Sequence, residues 1–97
     1  MDLYKLNGNN TIKCDNIEDY CYHRKIQNKI VAKTNIKDAY ISTVFLGMDY
    51  SLHGNPPLLF ETMIFGGKHD DYTERYETWE QAVLGHEIAI KLVNEDE

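Results

Sequence analysis

Asn55, Glu61, Lys68 and Arg75 are the residues of this chain whose types combine into a recognisable site chemistry. A carboxylate and an amide can pair with base or ribose edges, and the planar guanidinium fork suits phosphate. Phe45, Tyr50, Phe65, Tyr72 or Tyr76 could stack on a base. Together they describe the binding of a small anionic, nucleotide-like ligand. A Glu61–Arg75 ion pair that only ties the sheet to the segment before the last helix is the competing reading of the same residues.

Catalytic chemistry finds less support. The histidines, His23, His53, His69 and His86, are the side chains that titrate near neutrality. His86-Glu87 resembles the start of a zinc-binding H-E-x-x-H helix, but position 90 is Ile, so the second ligand is missing. His86 instead falls on an apolar helical stripe, where a histidine packs and is satisfied by one hydrogen bond. His69 with Asp70 and Asp71 reads as a solvated turn. There is no G-x-S-x-G, no cysteine with an evident His and Asn partner, and no glycine-rich loop opening a helix. Gly66 and Gly67 end a strand rather than cradle a phosphate. The sequence therefore predicts no catalytic residues, no metal and no cofactor.

These residues need a scaffold. Asp2 to Leu6 reads as a short edge strand closed by the turn formers Asn7 to Asn10, and Asp15 to Ile26 as a short helix capped by Asp15 or Asn16. Alternation predicts strands over Lys29 to Thr34 and Ala39 to Met48 around a turn at Asn35 to Asp38. Asp49 to Pro57 is a loop, and Leu58 to Phe65 a further strand. Thr78 and Gln81 form a T-x-x-Q capping box for a helix running toward Asn94. Trp79, Ala82, Val83, Ala89, Ile90 and Val93 make its expected buried stripe; Leu84, Ile88 and Leu92 make a second apolar row. The fold class is α+β: an antiparallel sheet of four or five strands with a C-terminal amphipathic helix and a short N-terminal one. Strands apolar on both faces and a helix apolar over more than half its circumference predict a homo-oligomer, unless the N-terminal segment covers the surplus.

Length and composition bound the rest. Ninety-seven residues make a single domain, and 42% hydrophobic with 27% charged residues is the balance of a folded chain. A formal net charge of −6 argues against long nucleic acid as a partner, although Arg24, Lys68 and Arg75 remain available to a small anion. No apolar run is long enough to span a membrane, and Met1 to Leu6 carries charge where a signal peptide would be apolar, so a cytoplasmic protein is expected. Cys14 and Cys21, seven apart, read as free thiols.

Ile41-Ser42-Thr43-Val44-Phe45-Leu46-Gly47-Met48-Asp49, the run Pro56 to Gly67, then Glu74-Arg75-Tyr76, Thr78-Trp79-Glu80 and Gly85-His86 carry a resemblance in order across about Lys33 to Val93. This pattern resembles a widespread family of small phage proteins, and within it the first type of Thoeris anti-defence protein, a sponge for cyclic ADP-ribose isomers. The resemblance implies action in the cytoplasm of an infected bacterial host, an oligomer built from dimers, pockets near the dimer contact, and in some members further sites for cyclic oligonucleotides. It assigns stacking to Phe45, loop hydrogen bonding to Asn55 and phosphate contact to Arg75. Tyr50 departs from the pattern, which usually carries His after the Asp. The alternatives are a phosphodiesterase-like hydrolase of the same signals, using His53 or His69 as acid or base, and a module that binds a host protein.

Overall fold

The computed structural model describes residues 2–52 and 55–95. A two-stranded antiparallel hairpin, β1 (Tyr4–Asn7) and β2 (Asn10–Lys13), leads into helix α1 (Ile17–Ile26). Four strands follow, β3 (Ile30–Ile36), β4 (Ala39–Phe45), β5 (Phe60–Phe65) and β6 (Thr73–Tyr76), and helix α2 (Trp79–Glu95) closes the chain. The main sheet is antiparallel in the order β3-β4-β5-β6. The architecture is α+β, with the four-stranded sheet and C-terminal helix expected from the sequence. β2 and β6 are the strands that the pattern did not mark. Each has four residues, too few for alternation to show, and each is held by its neighbour in the ladder.

Local chemistry explains the element ends. Asn16 caps α1 by accepting from the Asp19 amide at 2.8 Å. The α2 capping box forms as expected: Gln81 N donates to Thr78 Oγ1 at 3.1 Å, and Gln81 Oε1 accepts from the Thr78 and Glu77 amides. β4 stops at Phe45, short of the expected Met48, because Gly47 takes a φ of +78° and lies against the Tyr20 ring and the Tyr4 carbonyl. The chain turns there into the loop 46–59.

One sheet face packs on α2. Ala39, Ile41, Thr43 and Phe45 of β4 and Phe60, Thr62 and Ile64 of β5 alternate inward and are buried. The helix meets them with Ala82, Gly85, His86, Ala89 and Val93. This stripe is rotated from the expected one. Val83 is exposed, and Gly85, which carries no hydropathy signal, sits at the contact because the helix needs a bare backbone there.

The N-terminal segment does cover part of the surplus apolar surface. Leu6 joins Phe45, Leu59, Phe60 and Ala82 in one core cluster, Tyr20 is buried, and Arg24 Nη1 donates to the Phe45 carbonyl at 2.7 Å. Leu84 and Ile88 still stand 58% exposed each on α2, while Leu92 of the same row packs on the second core cluster. No described helix is long and apolar enough to cross a membrane.

Candidate functional site

The loop after β4 builds a wall before any ligand chemistry is considered. Asp49 Oδ1 accepts from the amides of Ser51 at 2.8 Å and Leu58 at 3.2 Å, and Tyr50 N donates to the Leu58 carbonyl. The Ser51 hydroxyl, with the Ser51 and Leu58 amides, holds the Asp49 carboxyl below the usual carboxylate range against a smaller opposing effect of burial. One carboxylate oxygen thus staples both ends of the loop.

Between this wall, β6 and the start of α2 lies a concavity of about 420 Å³, lined by Tyr50, Leu52, Asn55, Arg75, Tyr76 and Gln81 among others. A pocket of this size suits a small ligand. Arg75 and Glu77 are its charged lining residues. In the ladder Arg75 is opposite Glu61, and its Nε donates to Glu61 Oε2 at 2.9 Å. Its guanidinium carbon lies 4.8 Å from the centre of the Tyr50 ring. Among the described residues no hydrogen bond engages the two Nη groups, so the bidentate edge of the fork is available to an anion.

The expected site residues separate in space. Asn55, Arg75 and Tyr76 come together in the concavity. Glu61 does not line it: its side chain is 13% exposed behind Arg75, so it orients the guanidinium, and the expected ion pair is present. Phe45 is 2% exposed, packed 5.2 Å from Phe60 in the core, and offers no face for stacking. The alternation that makes β4 a strand turns Phe45 inward. Lys68 borders a different, smaller concavity of about 120 Å³ with Lys37, Asp38 and His69, beyond the far end of β5. Four strand steps from Glu61 to Phe65 at about 3.4 Å each put that end roughly 14 Å from the Glu61–Arg75 pair, so Lys68 and His69 belong to another place. His53 and Gly54 lie outside the described residues.

Tyr50, Leu52 and Gln81 complete the pocket wall without having been expected as a set. The signal for Tyr50 was available as an aromatic directly after the Asp of the loop; Gln81 was hidden by its role as a cap. Tyr76 packs its ring against Gly85, where an added Cβ would stand 2.1 Å from Cζ. Burial raises the pKa of the Tyr76 phenol, and the Thr62 hydroxyl opposes that rise.

Among the described residues no three His, Cys, Asp or Glu side chains gather to hold a metal. Cys14 and Cys21 are free thiols, and burial raises the pKa of the Cys14 thiol, which makes it a poor nucleophile. No family model, no curated protein and no solved structure matches the chain.

Proposed function

We propose that this protein sequesters a small anionic, nucleotide-derived signal, of the cyclic ADP-ribose or cyclic oligonucleotide type, without cleaving it. The observation that carries the reading is the Arg75 assembly: a guanidinium braced by Glu61 at Nε, stacked on Tyr50, and bordering a concavity with an amide at Asn55. Such an arrangement supplies a preorganised phosphate clamp beside an aromatic face, and preorganisation is what tight sequestration requires. The aromatic role expected of Phe45 passes to Tyr50. The motif order that resembles Thoeris anti-defence proteins supports a phage sponge acting in the host cytoplasm.

Self-association belongs to the same proposal. Gln81, which lines the concavity, is followed at three and seven residues by Leu84 and Ile88, so the exposed apolar row of α2 continues from the pocket wall. A second copy packed antiparallel across this row would set Glu80 beside Lys91 of its mate, a favourable pairing of charges. The occupant of the row is therefore read as another copy of this chain.

Native mass spectrometry with a panel of cyclic ADP-ribose isomers and cyclic oligonucleotides tests both parts. An oligomer that binds one of these and releases it intact after denaturation is expected. Release of a degraded species favours a hydrolase, and indifference to the whole panel removes the ligand reading in favour of a protein-binding module.

A further inference from the structure

Under α2 a row of buried polar side chains crosses the sheet. Thr34 Oγ1 on β3 lies 2.9 Å from His86 Nε2, His86 Nδ1 lies 2.7 Å from Thr43 Oγ1 on β4, and Thr43 Oγ1 lies 2.5 Å from Thr62 Oγ1 on β5. His86, Thr43 and Thr62 are 2% exposed or less. Tyr76 of β6, opposite Phe60 in the ladder and so diagonal to Thr62, feels the Thr62 hydroxyl, yet its Oη is buried and closes no hydrogen bond, alone in this among buried side-chain polar atoms of the described residues. A buried hydroxyl without a partner is costly and calls for an explanation.

The row has a direction, because each hydroxyl carries one proton and the neutral imidazole carries one. With the ring proton on Nε2, His86 donates to Thr34 and accepts from Thr43, Thr43 accepts from Thr62, and Thr62 is left with lone pairs toward Tyr76. With the proton on Nδ1, or on both nitrogens, every bond from His86 to Thr62 reverses, and Thr62 presents its own proton to the phenol. A phenol is a better donor than acceptor, so a Thr62 lone pair turned toward Tyr76 in the first direction draws the phenol proton in, and a Thr62 proton turned toward it in the second opposes that approach.

We propose that His86 sets the direction of this hydroxyl row and thereby controls how firmly Tyr76, a wall of the concavity, is held. The inference rests on the binding reading only in what Tyr76 is held for. The groups facing His86 are Thr34 on β3, Thr43 on β4 and, on its own helix, Glu87, the one charged residue among the described residues that acts on it. Burial keeps the ring neutral by lowering its pKa, and Glu87 opposes this more weakly. Acidification that charges the ring forces the second direction and loosens Tyr76.

Nitrogen-15 NMR of the His86 ring tests the row without any ligand. A proton on Nε2 is expected in the wild type. Tyr76→Phe, which keeps the ring and removes the phenol proton, is expected to shift the tautomer ratio several-fold toward Nδ1; in a Thr43→Val background the same change at 76 is expected to have no effect. A wild-type proton on Nδ1, or ring shifts indifferent to Tyr76→Phe, overturns the proposal. Cyclic ADP-ribose binding supplies the second readout. Affinity in the wild type should fall on acidification through the His86 titration and lose that dependence in Tyr76→Phe. Binding with an identical pH profile in both proteins overturns the regulatory role while leaving the binding reading intact. A responsive tautomer with no cyclic ADP-ribose binding supports the row and counts against that ligand alone.

Discussion

Gly85→Ala is the substitution for which the structure and simple propensity give opposite answers. An alanine in a helix interior is favoured over glycine by about 1 kcal/mol. At position 85, however, the new Cβ would lie 2.1 Å from both Cζ and Oη of Tyr76 and 2.4 Å from Cε1, where carbon contacts normally sit at about 3.5 to 4.0 Å. The obstacle is a ring wedged between the sheet and α2, so the helix must lift or the ring must leave. Expelling a partly buried aromatic such as Tyr76 costs up to about 3 to 5 kcal/mol and partial accommodation about 1 to 3. After the helix gain is subtracted, a net loss of about 2 kcal/mol is expected, or about 10 °C in Tm for a domain of this size. Denaturant titration of the single variant, of Tyr76→Ala and of the double variant measures the coupling directly. With Tyr76 truncated, Gly85→Ala should turn neutral or stabilising. A single variant as stable as the wild type would show that the ring does not occupy this slot, and with it the packing account of the pocket's inner wall would fall.

Arg75→Ala should weaken binding of a cyclic ADP-ribose isomer or cyclic oligonucleotide by tenfold or more, read by calorimetry, with unchanged oligomer mass and a stability loss of about 1 kcal/mol from the half-exposed ion pair; unchanged affinity would remove Arg75 from the site. Ile88→Glu should leave the monomer folded, since the position is already exposed, and dissociate the oligomer by placing an unpaired charge in the contact; light scattering at the wild-type mass would reject that interface. Because both loop amides bond the same Asp49 oxygen, Asp49→Asn should hold the loop and Asp49→Ala should release it, with faster amide exchange at Ser51 and Leu58 only in the latter. The depressed His86 pKa implies that the unfolded chain takes up the proton first as pH falls, so the stability linked to this group is present above the ordinary value of 6.5 and is lost below it. Urea midpoints between pH 7.5 and 5 should fall in the wild type; a flat profile would mean that the ring is not buried neutral.

Elements with long, regular patterns were legible in the sequence. β4 and β5 alternate over six or seven residues, and α2 announces itself through its cap, because these signals depend on neighbours in the chain. β6 was not legible, since Thr73 to Tyr76 become a strand only by pairing with β5. The same pairing creates the Glu61–Arg75 contact, so the residue types were visible while their partnership waited on register.

Phe45 and Lys68 show where reading side-chain chemistry alone misleads. Both had suitable groups, but the period of the strand buries one face completely, and the length of β5 carries its following turn to the other end of the sheet. Gly85 shows the converse. A residue with no side chain has no pattern to read, yet the absence of a Cβ is what admits Tyr76.

Composition, periodicity and capping by themselves determined the α+β class and the amphipathic last helix, because those properties are local or additive along the chain. The concavity and the buried hydroxyl row were decided only by the tertiary structure. They depend on which residues from β3, β4, β5, β6 and α2 meet, and such meetings are set by strand register and by how closely the helix can approach the sheet.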